Sequence, residues 1–297
     1  MNKLICGLLL LSTVSHAGRV PEELESIGGI GQGYGNAGAA IPTNGSGAVR
    51  ANPALMSLSR RYEISANYHF PSSSNDFYQV GVVDSVSSQV AVGIQLNGFM
   101  DEEVSTRFKN PLTRRIQGGA SFLLGQLALG VSGQQLQWSY GPQKKEAKTF
   151  GLGVATMTGP LVIGISGENI KNSGAEDFAP RHLRGGVTWS YAELVLGVEV
   201  SKRDRVSQEL SSRLSDLRFT QTLPEPEVMA SIYGAYKLWQ SVTASAAYGQ
   251  TQDGQRKTAS GGLVLDQKTF QLFWNASLPY LEDPIHHVMG LNLHVKV

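Results

Sequence analysis

Three sets of residues have types and spacing that invite chemistry. Gly33, Gly35 and Gly38 fit the G-x-G-x-x-G fingerprint of dinucleotide sites. That fingerprint works only where it joins a strand to a helix in a βαβ unit. His286 and His287 suggest a metal pair, yet adjacent residues of a strand point to opposite faces and do not share one ion readily. Arg61, Glu63, Arg115, Glu168, Arg184, Glu193 and Glu199 form a scattered set of charges whose meaning depends on the side of the chain they face. No Ser/His/Asp order or nucleophile motif stands out, so no enzyme, cofactor or metal is expected. Cys6 is the only cysteine, which excludes disulfides and thiolate metal sites from the rest of the chain.

Composition narrows the classes further. The 25 Lys and Arg against 24 Asp and Glu, a formal charge of +1, supply no field for a nucleic acid. An apolar content of 41% with so little net charge argues against disorder. The 34 glycines exceed the average share of about 7%, so a repeated backbone requirement must exist. Residues 1–17 read as a secretory signal: Lys3, an apolar run over 4–11 with Val14, and the small-residue site Ser15-His16-Ala17. No other stretch holds 18 consecutive apolar residues, so no spanning helix is expected.

From residue 61 onward the chain alternates with period two. Val90, Val92, Ile94 and Leu96 interleave with Ala91, Gly93, Gln95 and Asn97, and Phe270, Leu272 and Trp274 with Gln271, Phe273 and Asn275. Fourteen such segments lie near 61–70, 76–84, 89–98, 114–124, 127–137, 148–157, 161–169, 182–191, 192–201, 227–237, 241–249, 257–265, 269–278 and 286–296; twelve is the alternative count. Their length of about ten residues suits tilted strands crossing a bilayer. Short connections alternate with longer ones, among them 99–113, 138–147 and 202–226.

Charge placement separates a membrane barrel from a soluble sandwich. The apolar parity carries no Asp, Glu, Lys or Arg in mid-segment, whereas the seven charges named above take the opposite parity. A charge facing lipid at mid-depth costs about 2–4 kcal/mol. Aromatics such as Tyr62, Phe122, Trp189, Tyr191, Tyr236 and Tyr248 gather toward segment ends, as interfacial girdles do. The expected fold is all-β: a fourteen-stranded antiparallel transmembrane β-barrel over 61–297, with 18–60 as an N-terminal luminal hatch. The seven opposite-parity charges are expected in the lumen, pairing with one another.

The hatch is read from its small residues. A Gly/Ala-rich run over 28–40 lets backbone approach a wall whose lumen parity is also rich in glycine. The signal-like start, this run, the Asn52-Pro53-Ala54 motif just before the first strand, and fourteen strands together resemble the FadL-type outer-membrane transporters; PorV-type barrels share the architecture. The resemblance implies residence in a bacterial outer membrane, contact with its lipid, and passage of fatty-acid-like hydrophobic small molecules past a hatch and out sideways. It also implies a rival, a non-transporting PorV-like scaffold presenting loops to an envelope protein. A small nonspecific porin is the third reading. Gly33, Gly35, Gly38, Asn52, Pro53 and Ala54 carry the hatch motif. Ile30, Ile41, Leu55, Val162, Val195, Phe273 and Val288 are the apolar residues expected to line a ligand path. Loop 202–226 spaces Val206, Leu210, Leu214 and Leu217 as an amphipathic helix resting on the rim.

Overall fold

Alternation with one apolar face forces each segment to put that face on something apolar, and closing the sheet on itself removes every open edge. The computed structural model describes residues 34, 37–41, 45–58, 60–70, 77–99, 112–140, 143–173, 181–204, 227–254, 257–267, 269–278 and 285–295. Residues 1–17, Ile30, Gly33, Gly35 and 205–226 lie outside them, and so do the signal and loop-helix expectations that rest on them.

Fourteen antiparallel strands form one closed barrel. They are β1 (Tyr62–Phe70), β2 (Phe77–Asp84), β3 (Val90–Phe99), β4 (Leu112–Leu124), β5 (Leu127–Tyr140), β6 (Gln143–Thr158) and β7 (Leu161–Ser173). The second half comprises β8 (His182–Tyr191), β9 (Leu194–Arg203), β10 (Glu227–Trp239), β11 (Val242–Thr251), β12 (Lys257–Asp266), β13 (Phe270–Leu278) and β14 (His286–Val295). Each strand pairs with its sequence neighbour, and β1 closes on β14 through Tyr62↔Val295 to Phe70↔His287. β1 therefore begins and β14 ends on the side of the short turns. Four of those turns hold two residues, 125–126, 159–160, 192–193 and 240–241, and the first two begin with a glycine at positive φ, +63° and +57°. Such turns match the twist of the strands they join.

The inside–outside parity is as the alternation requires. Val92, Ile94, Val131, Ile165 and Ile232 point outward and are exposed, whereas Gln95, Asn97, Gln117, Thr149 and Asn275 point inward and are buried. An outer face of this kind, without water-compatible groups at mid-height, is covered only by hydrocarbon. Trp189 stacks on Tyr191 at 5.7 Å near the short-turn end, part of an aromatic belt with Tyr62, Phe122 and Tyr236. Ile94→Arg is expected to destabilise the barrel in lipid vesicles by about 2–4 kcal/mol. Ser87→Arg, in an exposed turn, is expected to stay within about 0.5 kcal/mol. Denaturant unfolding in vesicles reads both.

Three expectations need correction. The stretch 138–147 is not a long loop: β5 and β6 continue to Tyr140↔Gln143, leaving only 141–142 between them. Glu146 there accepts from Gln135 at 2.6 Å, and both it and Lys148 are exposed. These strands rise beyond the apolar band, where the outer face no longer needs to be apolar, so the alternation stops before the strand does. The ninth strand starts at Leu194, so Glu193 occupies an exposed turn rather than the lumen. Ala192 takes positive φ (+51°) at that turn, which ends the strand parity from which a luminal Glu193 was read. The seventh strand runs past 169 and carries a bulge there. Phe150 pairs with Lys171 and Leu152 with Gly167, so three residues oppose Gly151. The bulge turns both Glu168 and Asn169 inward, with Asn169 at φ +58°.

Candidate functional site: the lumen and the segment inside it

The described residues 34, 37–41 and 45–56 lie buried inside the barrel. A 3-10 turn (Gly45–Gly47) leads into α1 (Ala48–Ala51), the turn Asn52–Ala54 and α2 (Leu55–Leu58). These short helices rest on the inner faces of β1–β7. Helices of four residues have no stability of their own, so the wall must hold them. Val49, Ala54, Leu55 and Met56 pack with Val83, Ala91, Ala128, Ala155 and Val162 in one apolar cluster.

Close approach explains part of the glycine excess. A Cβ on Gly130 would strike the backbone of Pro53 and Ala54, one on Gly153 the Asn52 side chain, and one on Gly164 the Ala39 carbonyl. The Asn-Pro-Ala motif earns its residues here. Asn52 Nδ2 donates to the carbonyls of Ala39 (2.7 Å) and Val154 (3.3 Å), while its Oδ1 accepts from the Ala54 N–H (3.1 Å). One side chain thus ties two parts of the segment to the wall. Gly164→Val is expected to push residues 37–41 off the wall and raise proteolysis of the segment in the folded barrel. Gly185→Ala, where a Cβ meets nothing within 4 Å, should leave the digest unchanged.

The luminal charges are anchors. Glu199 accepts the backbone N–H groups of Gly38 and Ala39, both at 2.8 Å, and lies 3.5 Å from Arg184. Glu63 accepts the Ser46 N–H at 3.1 Å and lies 3.3 Å from Arg61. Glu168 meets Arg50 at 3.0 Å and Arg115 at 4.0 Å. Arg184 also donates to His182 Nδ1 at 3.1 Å. Ser166 bonds the Ala51 carbonyl, and Gln117 the Val49 carbonyl. Each of the three glutamates thus pairs with a wall cation, and each also grips the inserted segment. Removing one partner from such buried pairs costs about 3–5 kcal/mol, because it strands the other charge. Arg50 was not singled out by sequence. Its signal was legible nonetheless: the one cation between Arg19 and Arg60, in a segment destined for a lumen, requires an anionic partner on the wall.

The remaining apolar residues divide between two places. Leu55 and Val162 belong to the cluster around α1 and α2. Ile41, Phe273 and Val288 join Tyr34, Ala37, Tyr233, Ala235 and Val264 in a second cluster on the β10–β14 side, with Val195 packed against it. Tyr34 meets Tyr233 edge to face at 5.7 Å, and Tyr233 shares a hydrogen bond with Thr188 at 2.6 Å. Tyr34 and Tyr233 escaped the sequence reading because alternation flags parity but does not say which inward aromatics will meet. His287 stacks on Trp274 at 5.8 Å. Among the described residues no group of three or more His, Cys, Asp or Glu side chains comes together.

A closed fourteen-stranded antiparallel barrel is the fold shared with solved FadL-type transporters. No family model and no curated protein matches this sequence. Among solved structures, the toluene transporter TbuX of Ralstonia pickettii is similar, with a TM-score of 0.65 at 12% identity over 92% of this chain and 99% of that one. The toluene transporter TodX of Pseudomonas putida gives 0.65 at 12% over 92% and 100%. A FadL homologue of Pseudomonas aeruginosa gives 0.58 at 15% over 89% and 97%. At these identities the likeness is one of fold.

Proposed function

We propose that this protein resides in a bacterial outer membrane and passes uncharged hydrophobic small molecules, with residues 18–60 acting as its hatch. The observation that carries the reading is the apolar cluster that Tyr34, Ala37 and Ile41 form with the β10–β14 wall. It is the one broad apolar lining among the described luminal residues that the helices of the segment do not fill. Displacing residues 34–41 would uncover a surface of Ile41, Phe273, Val288 and Val264 able to strip water from an apolar solute. The FadL-fold proteins whose names include toluene and monoaromatic hydrocarbon are consistent with that cargo. The charges favour a neutral molecule over a fatty acid. Each luminal arginine named above faces a glutamate within 4.0 Å, so a carboxylate would have to compete for it.

Uptake of radiolabelled toluene by intact cells tests this reading, because a lipopolysaccharide outer leaflet slows unaided entry. Cells producing the barrel should take up toluene faster than cells lacking it, and should gain little for benzoate. Equal uptake with and without the folded barrel would sink the proposal. The rival is a sealed scaffold that presents its loops to an envelope partner. It is favoured by the unbroken pairing of all fourteen strands and the many bonds that hold residues 37–41 and 45–54. It predicts that equal uptake.

A further inference from the structure

The lumen contains polar groups that neither the hatch nor the proposed path uses. On β3, Gln95 and Asn97 lie two residues apart and so share the inner face. They are 1% and 3% exposed. All four of their side-chain amide atoms lack a hydrogen-bond partner among the described residues. Across the strand pair stands Gln117, whose Nε2 bonds the Val49 carbonyl while its Oε1 has no partner. The neighbouring Gln79, opposite Asn97 on β2, accepts from Asn67 at 2.7 Å and so holds the edge of the patch. Two steps along a strand and one across give a patch of about 7 Å by about 5 Å. Gln95 and Gln117 stand in register with Gly81 and Ser65, the row where Ser46 meets Ser65, and Asn97 lies two residues further toward the long loops.

Buried amides left without partners are rare in folded proteins and call for an occupant. The kind of occupant follows from which atoms are idle. A carboxylate would satisfy the two NH2 groups and leave three carbonyl oxygens facing an anion. A hydrocarbon would satisfy nothing. A hydroxyl both donates and accepts on one atom, and so answers an Nδ2 or Nε2 and an Oδ1 or Oε1 together.

The geometry points to Gln95 and Asn97, with Gln117, as a binding site for the hydroxyl of a small neutral molecule. Where the transport reading holds, the site is a polar station beside the 3-10 turn of the hatch, favouring hydroxylated over purely hydrocarbon cargo. The same chemistry is offered by ordered water, and the test separates the two.

Phenol, toluene and benzoate form the probe series, since they share a ring and differ in the group at issue. Binding is read at equilibrium with the full-length barrel in detergent, by the side-chain amide NMR signals of Gln95 and Asn97 and by dialysis of labelled probe. Transport is not involved, so a barrel that passes nothing still gives an answer. Phenol should shift both amide signals saturably. The Gln95→Leu/Asn97→Leu double variant should bind phenol about tenfold more weakly, the worth of one or two hydrogen bonds, with toluene unchanged. Heat-modifiable gel mobility confirms that the variant is folded, and Gln95→Met alone serves as the milder change. Phenol that leaves the amide signals unmoved would show that water is the only occupant and overturn the proposal. Benzoate binding more tightly than phenol at these signals, or equal phenol binding by the folded variant, would overturn it too.

Discussion

Glu199→Leu is expected to release the N-terminal segment. The carboxylate accepts two backbone N–H groups at 2.8 Å and faces Arg184, so its loss strands two donors and a guanidinium inside the barrel. By the usual worth of a broken buried pair, about 3 kcal/mol or more, the lifted state should become about a hundredfold more populated. A cysteine placed at Ala37, which is buried against the wall, reports this directly in a Cys6→Ser background. A water-soluble maleimide should label it slowly in the parent and about a hundredfold faster in the variant. Adding Arg184→Met removes the stranded charge. The double variant should regain barrel stability in denaturant while residue 37 stays reactive, since Gly38 and Ala39 still lack their acceptor. Equal labelling in parent and variant would show that Glu199 does not hold the segment.

The second large effect is expected at Val288, which is fully buried in the β10–β14 cluster beside Phe273 and Ile41. Val288→Asp places a carboxyl group where no described neighbour in the cluster offers a charged partner. Burying or hydrating that group costs several kcal/mol along an otherwise apolar lining. Toluene uptake should fall at least about tenfold, with heat-modifiable mobility confirming an intact barrel. Val288→Ala, which only removes methyl groups, should keep uptake. If Val288→Asp leaves uptake unchanged, cargo does not pass this wall.

Much of the wall was legible because a barrel in lipid obeys one rule at every level. The outer residues of β3 and β13 must be apolar, so parity alone located fourteen strands and turned Gln95, Asn97, Phe273 and Asn275 inward. The rule lapses where the lipid ends. Strands β5 and β6 therefore outran their alternation, and Glu193 was misplaced by one turn. The bulge at Asn169 was not legible either, since alternation through Ile165 and Glu168 gives no hint of extra residues that leave the parity beyond them unchanged. The lumen obeys pairing rather than periodicity. Arg115, Arg184, Glu168 and Glu199 could be assigned to the interior from parity, but Arg50 facing Glu168 and Tyr34 facing Tyr233 are contacts between distant parts of the chain. The Gly/Ala-rich run over 28–40 and the glycines of lumen parity marked a close approach of backbone to wall; that Gly130 receives Pro53 and Ala54, Gly153 receives Asn52 and Gly164 receives Ala39 emerged only once the strands closed.

The central claim is that hydrophobic molecules pass only when residues 34–41 leave the β8–β14 wall, and a reversible lock tests it. The Cβ of Ala39 lies 3.4 Å from where a Cβ on Gly186 would stand, at the short edge of the disulfide range of about 3.5–4.5 Å. In a Cys6→Ser background, Ala39→Cys with Gly186→Cys should form the only disulfide and tie the segment to the wall. Oxidised cells should take up labelled toluene no faster than cells without the barrel, and a reductant should restore uptake to the level of the single Ala39→Cys variant. Full uptake through a barrel shown to be completely cross-linked would contradict the account.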